Sequence, residues 1–511
     1  MQKLLFDLLL TAAKHHPDRV AFIDGDRRIR YAELLEQAQS IARGLADRGL
    51  SAGDRVAIVH ESDLESVAFF WAIQAIGATS VDVPHHVSAE TLAQVLEEAA
   101  PAAILIGGAE QRRLGDKKSA LPPVVFGSKK AGTVAEAAQV SFVEDLIAAH
   151  GKAPPRGGAA DDVAVIIYTS GTTGVPKGVM LSHNNLLSNI HAASELFPLG
   201  PDDRLLLAVP TYFVHGRMQI LSLTHAGGSI VLSAGFAFPE RVVEELANHE
   251  ITLFSGVPFH FTTLLERTSI AQKSLPKLKH LLITGGALPF GVLRRLHTAV
   301  PEAGIHTAYG MTEAAPRLTY LGPKETLEKK DCAGRPLPGL SVEILGSDGL
   351  PLPRGAVGEV AARGPNIMKG YVSGDERSSG RIDAEGRLRT GDLGRLDGDG
   401  YLYLFGRQSD MIKTAGERIF PGELEEILLK HPAVREAAVF GAPDPILGER
   451  VVAVVVLKEG RSLSKEELHR HNLGWVPFVR APREIHLRTE LPKTASGKVD
   501  KKALRAAIAA G

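Results

Sequence analysis

The stretch Tyr168-Thr-Ser-Gly-Thr-Thr-Gly-Val-Pro-Lys-Gly178 directly follows an apolar run at residues 163–167. Its glycines let the backbone approach an anion closely, and Lys177 adds a positive charge. Hydroxyl groups that can donate hydrogen bonds to phosphate oxygens belong to Thr169, Ser170, Thr172 and Thr173. The stretch lacks the Gly-Lys-Ser/Thr ending of a Walker A loop. A strand leading into such a loop predicts a phosphate-binding site, with a plain surface turn as the alternative.

Outward from this loop, the first half of the chain alternates short apolar runs with helical patterns. Residues 31–48 place Leu34, Ala38, Ile41 and Leu45 on one face of a predicted helix. Apolar runs that predict strands lie at 55–59, 103–106, 163–168, 205–209, 229–232 and 281–283. Apolar strands separated by helices predict buried, mostly parallel sheets in an α/β fold.

The pattern changes after about residue 330, where Gly-containing turn signals crowd between short alternating strands such as 401–405. This predicts a small antiparallel β-rich subdomain at roughly 330–405. A new mixed pattern follows, with a helix at 423–430 and strands at 436–440 and 451–457. We therefore predict a large N-terminal domain, residues 1–408, followed by a small α+β domain, residues 409–511.

Composition narrows the function classes. Hydrophobic residues make up 44% and charged residues 23% of the 511 residues, as in ordinary globular proteins. The formal net charge of −1 gives no overall field that would attract nucleic acid or an anionic membrane. The single cysteine, Cys332, excludes an internal disulfide and fits a cytoplasmic protein. We expect the apolar N-terminal stretch to form an amphipathic helix, and no run of 18 apolar residues predicts a membrane span.

The loop at 168–178 resembles the signature loop of the adenylate-forming superfamily. That group includes acyl- and aryl-CoA synthetases, the adenylation domains of peptide synthetases and firefly luciferases. Further motifs follow in the family's order and cover most of the chain. In this loop the resemblance implies ATP and AMP contacts for Thr169, Ser170, Gly171, Thr172, Thr173, Gly174 and Lys177.

Two further motifs resemble nucleotide-binding segments of that family. In Tyr309-Gly310-Met311-Thr312-Glu313, the resemblance assigns Thr312 to the α-phosphate and the Glu313 carboxylate to Mg²⁺. A carboxylate oxygen is a ligand that this hard cation prefers. Gly285-Gly286-Ala287 resembles the segment that lies along the adenine.

The ribose motif of the family is similar to Arg389-Thr390-Gly391-Asp392-Leu393. The Asp392 carboxylate can accept hydrogen bonds from two ribose hydroxyls. Arg407 is similar to the arginine that contacts the ribose or phosphates, and Tyr371 stands where the family often has a residue near the nucleotide.

Leu491-Pro-Lys-Thr-Ala-Ser-Gly-Lys498 resembles the C-terminal catalytic motif, which makes Lys498 the lysine that stabilises charge as a carboxylate attacks the α-phosphate. In the family the small domain rotates between two half-reactions. The pivot falls at Ser409, where the family usually has Asp or Lys. After rotation, Gly416 would line the channel for the thiol.

The resemblance implies that ATP and a carboxylic acid give an acyl-adenylate and pyrophosphate, and that a thiol then displaces AMP. It also implies an acid pocket lined by Phe213, Val214, Val257, Phe259, Gly285 and Ala308. Residues 210–216 contain no carboxylate that could pair with an amino group, so an α-amino acid is disfavoured. An aryl acid and a medium- or long-chain aliphatic acid both remain open.

Coenzyme A is the first candidate for the thiol, with Arg480 and Arg483 as candidates for binding its phosphates. Some CoA ligases carry a stacking Trp near the position of Leu447, which cannot stack on adenine. A carrier protein's phosphopantetheine arm is therefore the alternative acceptor. A nucleotide sensor without catalysis is a further alternative, opposed by the presence of Thr312, Glu313 and Lys498.

Overall fold

The computed structural model describes residues 2–129, 140–152, 157–170, 176–233, 235–374, 380–494 and 499–509. Some predicted site residues lie outside these ranges: Gly171, Thr172, Thr173, Gly174 and Lys498. The side chain of Ser170 is likewise outside the description.

The helices in the described part of the chain are α1 (Phe6–His15), α2 (Tyr31–Ala46), α3 (Leu64–Ala75), α4 (Ala89–Ala99), α5 (Gly108–Leu114), α6 (Val143–Ala148), α7 (His183–Leu196), α8 (Val214–Ala226), α9 (Pro239–Asn248), α10 (Pro258–Arg267), α11 (Phe290–Ala299), α12 (Pro323–Glu328), α13 (Pro421–Leu429), α14 (Lys465–Leu473) and α15 (Lys501–Ala509). None of these helices combines the length and the apolar character needed to cross a membrane.

The strands up to residue 310 are β1 (Val20–Asp24), β2 (Arg27–Arg30), β3 (Arg55–Val59), β4 (Thr79–Asp82), β5 (Ala103–Ile106), β6 (Val124–Gly127), β7 (Val140–Phe142), β8 (Val163–Ser170), β9 (Pro176–Ser182), β10 (Arg204–Leu207), β11 (Ser229–Leu232), β12 (Leu253–Gly256), β13 (His280–Ile283) and β14 (Gly304–Gly310). Those that follow are β15 (Arg317–Leu321), β16 (Cys332–Pro336), β17 (Ser341–Leu345), β18 (Gly358–Arg363), β19 (Gly370–Tyr371), β20 (Leu388–Leu396), β21 (Leu402–Arg407), β22 (Ile412–Thr414), β23 (Glu417–Ile419), β24 (Val434–Asp444), β25 (Gly448–Leu457) and β26 (Glu484–Arg488).

Two large sheets form the first part of the molecule. The eight-stranded sheet has the order β19-β9-β8-β4-β3-β5-β6-β7, and its strands β3 to β8 pair in parallel. The thirteen-stranded sheet contains a parallel block, β1-β11-β10-β12-β13-β14. The predicted α/β class is confirmed, as is the helix predicted at 31–48, which ends two residues earlier than expected.

The predicted antiparallel β-rich segment is present, but it does not form a sheet of its own. Strand β16 pairs with β15 and with β21, so the antiparallel strands extend the thirteen-stranded sheet. The sequence pattern identified antiparallel pairing correctly. It could not show that one edge of this segment is occupied by β15.

The main core lies between the two large sheets. Helix α3 is buried at every position, and α8 is buried over most of its length. A helix that is buried all round belongs to the interior of a large domain. The side chain of Asp63 caps α3 by accepting a hydrogen bond from the Ser66 amide. These helices place polar residues of α8 deep inside the protein.

The C-terminal part contains a five-stranded sheet, β23-β22-β25-β24 with β26 beside β25, and helices α13 to α15. It has apolar clusters of its own. Contacts with the preceding part include the Lys330 ammonium, which donates to Glu426 at 2.6 Å, and the rings of Phe405 and Phe420, 5.6 Å apart. The domain boundary at 408/409 stays a prediction.

Candidate active site

The predicted phosphate loop connects two antiparallel strands. Strand β8 enters the loop and β9 leaves it, with Thr169 opposite Lys177 across the hairpin. The two predicted nucleotide contacts therefore lie side by side where the strands meet the loop. The glycine-rich sequence between them suits a tight connection close to an anion.

Tyr371 links this hairpin to the predicted metal ligand. It lies in β19, which pairs with β9 so that Tyr371 is opposite Val179. The Lys177 ammonium lies 5.3 Å from the centre of the Tyr371 ring. The Tyr371 hydroxyl donates to Glu313 Oε1 at 2.7 Å. Residues from three separate segments thus meet at one place.

Glu313 is held in a short 3-10 turn, Thr312–Ala314, directly after β14. The side chain is buried, and the backbone carbonyl accepts a hydrogen bond from the Met368 amide at 3.0 Å. Burial, together with the charge of Glu313, raises the pKa of Tyr371 well above its ordinary value. Tyr371 therefore remains a neutral donor that orients this carboxylate.

Asp392 and Arg407 face each other on adjacent strands β20 and β21. Arg407 Nε lies 3.5 Å from Asp392 Oδ1. The Tyr309 hydroxyl donates to Asp392 Oδ2 at 2.7 Å, and burial raises the pKa of Tyr309. The structure therefore brings Asp392 into contact with both Arg407 and Tyr309 of the motif at 309–313.

The small residues of the predicted adenine segment lie at the carboxyl end of β13. Gly285 has a φ of +75°, and a Cβ there would lie 3.0 Å from Val257 Cγ1. Gly286 is exposed beside Pro258, and Ala287 is exposed too. Ligands of open α/β sheets bind at the carboxyl ends of parallel strands, which is where these residues lie.

Gly310 allows a close backbone approach. A Cβ at this position would lie 1.8 Å from the carbonyl oxygen of Pro316, and the register pairs Gly310 with Arg317 of β15. No side chain fits there, so this motif glycine is required by packing. Met311, the next residue, packs partly buried against the main core.

The predicted acid-pocket residues include three aliphatic and two aromatic side chains. Val214 and Ala308 are buried in the main core, and Val257 lies against Gly285. Phe213 lies at the start of α8, with its ring 4.7 Å from that of Tyr212. Phe259 lies in the first turn of α10, with its ring 6.3 Å from that of Phe236.

The residues predicted for the pivot and thiol channel lie beyond β21. Ser409 is exposed in a 3-10 turn, Gln408–Asp410. Gly416 and Ala415 both have positive φ, as a two-residue hairpin turn between β22 and β23 requires.

The two predicted arginines of the thiol channel make contacts within the C-terminal part. Arg480 donates to Glu423 at 2.6 Å, and the Arg483 guanidinium lies 5.2 Å from the Phe478 ring centre. Among the described residues, no hydrogen bond or ion pair joins Arg480 or Arg483 to Asp392 or Glu313.

An internal cavity was not predicted from the sequence. It has a volume of about 50 Å³ and lies between the helices α7 and α8 and the strands β12 to β15. Ala308, a predicted pocket residue, lines it, as do Gln219 and Arg317. The available signal was the single charge that begins the otherwise uncharged stretch Arg317-Leu-Thr-Tyr-Leu321.

Two family models match the chain. The model of the AMP-binding enzymes matches residues 9–372, and that of the AMP-binding enzyme C-terminal domain matches residues 423–498. Together they cover well over half of the chain. This chain belongs to the AMP-binding enzymes. The predicted resemblance to the adenylate-forming superfamily is confirmed.

Members of this family with full-length similarity include CoA ligases. The chain is 31% identical to the indoleacetate–CoA ligase of Aromatoleum aromaticum, over 96% of each chain. The crystal structure of ATP-bound MatB from Rhodopseudomonas palustris matches with a TM-score of 0.90 and 28% identity, over 99% of each chain. O-succinylbenzoate coenzyme A synthetase (MenE) from Bacillus subtilis, in complex with AMP, matches with a TM-score of 0.83 and 28% identity, over 98% of each chain.

These similarities confirm the predicted enzyme class. The AMP-binding enzyme is an acid–thiol ligase that uses ATP to activate a carboxylic acid and then forms a CoA thioester.

Proposed function

We propose that the acid is activated where the β8–β9 hairpin meets the carboxyl ends of β12 to β14. One observation carries this proposal. Two tyrosine hydroxyls each hold one carboxylate: Tyr371 holds Glu313, and Tyr309 holds Asp392. The four residues come from three distant segments, and all four were singled out from the sequence.

Asp392 would bind the ribose in this arrangement. Tyr309 and Arg407 both contact its carboxylate, which leaves lone pairs for two ribose hydroxyls. Thr169, Lys177 and Thr312 would contact the phosphates, since they lie on the elements that surround Glu313. Gly285, Gly286 and Ala287 would leave room for the flat adenine ring.

Glu313 is the proposed Mg²⁺ ligand. Among the described residues, no group of three or more His, Cys, Asp or Glu side chains could hold a metal ion. Mg²⁺ bound with ATP needs only one or two protein carboxylates, because phosphates and water complete its octahedron. The buried, oriented carboxylate of Glu313 fits that requirement. Mg²⁺ bound at this site would neutralise part of the phosphate charge.

Lys498 would stabilise the charge that develops as the carboxylate attacks the α-phosphate. This role is supported by the motif at 491–498, which contains Lys498 and lies within the residues matched by the C-terminal domain model. We further propose that residues 409–511 rotate about Ser409, so that Gly416 lines the thiol channel and Arg480 and Arg483 contact CoA. Arg480 would have to exchange its partner Glu423 for a phosphate.

The proposed acids are aryl acids and medium- or long-chain aliphatic acids. Val214, Val257, Phe259 and Ala308 offer an apolar surface, which favours an acyl group that is non-polar next to the reacting carboxylate. The similarity to an indoleacetate–CoA ligase supports the aryl class.

Acid-dependent exchange of labelled pyrophosphate into ATP tests the nucleotide site. Asp392→Asn should raise the KM for ATP by about 10- to 100-fold, because hydrogen bonds to a charged acceptor are lost. Asp399→Asn is the matched control in the same β20–β21 hairpin and should change the KM less than about twofold, since exposed turn residues contribute little. Equal KM values for the two variants would refute the role of Asp392.

The same assay tests Lys498. Lys498→Ala should slow exchange by about 100- to 1,000-fold, the usual effect of removing one transition-state donor. Lys493→Ala, in the same motif, is the control and should keep the wild-type rate. An undiminished rate in Lys498→Ala would overturn the proposed chemistry.

A competition experiment tests the thiol. The enzyme is given ATP, an accepted acid, CoA and a holo-carrier protein at equal concentrations. Predominant acyl-CoA is the expected product. Predominant acylation of the carrier protein would reject CoA as the acceptor.

A further inference from the structure

Arg317 is a buried cation without a partner in the described part of the chain. Its side chain is 8% exposed, and its guanidinium makes no hydrogen bond or ion pair with any described residue. Nη1 is fully buried and unpartnered. Leaving a charge unpaired in the interior is costly unless some group neutralises it. Burial also lowers the pKa of Arg317 to about 10, so the guanidinium keeps its charge at neutral pH.

The backbone of Arg317 is fixed by two buried amides. Its carbonyl oxygen accepts from Asn189 Nδ2 at 2.8 Å and from Asn366 Nδ2 at 3.2 Å. Arg317 also pairs with Gly310 of β14, and this pairing further fixes its backbone. The start of this long side chain is therefore positioned before any ligand binds, which reduces the entropy lost on binding.

The guanidinium lines the internal cavity beside unpartnered hydrogen-bonding groups. Both polar atoms of the Gln219 side chain and the hydroxyl of Ser222 are buried without a partner among the described residues. Both residues line the cavity from α8. Unsatisfied polar groups around one cavity indicate a site for a polar ligand group, since each is costly if left unpaired.

No other charge lies among the described residues that line this cavity. His225 lines it too, but burial lowers its pKa. His215, which contacts Ser255 of the lining at 3.0 Å, has its pKa lowered to about 3 by burial and by the charge of Arg317. The cavity is therefore positively charged and has no acidic lining residue in the described part of the chain.

The cavity adjoins the proposed acid pocket. Ala308 belongs to both, and the next residue, Tyr309, contacts the proposed ribose ligand Asp392. Ser255 lies two residues before Val257, which lines the proposed pocket. A space of about 50 Å³ exceeds the roughly 10–15 Å³ that one water needs, so a carboxylate group fits.

We infer that the preferred substrate is a dicarboxylic acid, whose second carboxylate enters this cavity and pairs with Arg317. This inference rests on the proposed function, because the first carboxylate must reach the nucleotide. Arg317 would act as a specificity residue, and Gln219 and Ser222 would hydrogen-bond the same carboxylate. A guanidinium matches a carboxylate in planar, two-bond geometry.

The test compares straight-chain and aromatic dicarboxylic acids with their monomethyl esters in the pyrophosphate exchange assay. The ester removes the distal charge and adds one methyl group. Wild-type enzyme should favour the best diacid over its ester by at least about 100-fold in kcat/KM, as expected for a buried charge pair. Arg317→Met should abolish this preference and keep exchange with the ester.

Two further variants make the test independent of a folding defect. Gln219→Leu should reduce the preference for the diacid about fivefold, the usual effect of one neutral hydrogen bond. Arg335→Met removes an exposed arginine from the adjacent strand β16 and should leave the preference unchanged. A diacid should also raise the thermal unfolding midpoint of wild-type enzyme more than its ester does, and Arg317→Met should lose this difference.

The outcomes separate the two proposals. Exchange with monocarboxylic acids and esters but no preference for any diacid would overturn the inference and leave the proposed function intact. A preference that persists in Arg317→Met would also overturn it. No exchange with any acid would instead refute the proposed function.

Discussion

Two buried arginines, far apart in the sequence, have opposite surroundings. Arg217 of α8 pairs with Asp82 of β4, at 2.9 Å between Nε and Oδ2, and its guanidinium lies 3.8 Å from the centre of the Phe70 ring. Arg317 of β15 has no carboxylate partner among the described residues. One charge is neutralised inside the protein, and the other faces a cavity.

Two buried histidines repeat this contrast. Burial alone would lower the pKa of His60, but the hydrogen bond and negative charge of Asp63 raise it to about 9. His215 has no such partner and is neutral at pH 7, since its pKa is lowered to about 3. The region around β4 and α3 thus supplies its own counterions, whereas the region around the cavity does not.

Helix α8 separates the two regions. Arg217 points to Asp82, while Gln219 and Ser222 line the cavity. A charge that is paired internally contributes to the fold, and a charge that is left unpaired is available to a ligand. This difference between the two arginines can be tested through protein stability.

Breaking the internal pair should have the largest effect. Asp82→Asn leaves Arg217 without a counterion and should lower the free energy of unfolding by about 3–5 kcal/mol. Urea denaturation monitored by circular dichroism measures this change. Asp82→Leu combined with Arg217→Met should recover most of the loss, because no uncompensated charge remains. A loss below 1 kcal/mol in Asp82→Asn would remove the contrast between the two arginines.

The His60–Asp63 pair should make stability depend on pH. The pKa of His60 is higher in the folded protein, about 9, than its ordinary value of 6.5. Protonated His60 therefore stabilises the fold fully below pH 6.5, and this contribution disappears as pH rises through 9. The loss should be at most about 3 kcal/mol.

His60→Gln is the control for this pH dependence. Its free energy of unfolding, measured in urea across the same pH range, should fall less than that of the wild type. Identical pH profiles would show that His60 does not titrate as the folded geometry indicates.

Removing the unpaired charge should have the smallest effect on stability. Arg317→Met deletes a buried charge that no described residue neutralises, so the free energy of unfolding should change by less than about 1 kcal/mol or increase. The same urea experiment measures it without substrate. A loss comparable to that of Asp82→Asn would indicate an internal partner and would place Arg317 among the structural charges.

The sequence predicted those features that depend on local pattern. Strands β3, β5 and β11 have the predicted bounds, since short apolar runs between turns are strong signals. The pairings Tyr309–Asp392 and Tyr371–Glu313 join residues that the motifs had already singled out. The hydrogen bonds themselves were not predictable, because they depend on how β14, β19 and β20 are placed in space.

The cavity was beyond the reach of sequence patterns for the same reason. Gln219 lies in α8 and Arg317 in β15, and nothing in either segment shows that they line one space. The paired arginine was equally hidden, because Asp82 and Arg217 are 135 residues apart. A charged residue in an apolar segment indicates burial, but only the three-dimensional structure shows whether a counterion is present.

The contact at Gly310 has a consequence for protein engineering. The Pro316 carbonyl occupies the space of a side chain at 310, and Pro316 directly precedes Arg317. Libraries that aim to change the accepted acid should therefore vary positions 219, 222 and 317 and leave 310 as glycine. Any larger residue at 310 would displace the chain that carries residue 317, and redesign of the acid site would then disturb nucleotide binding as well.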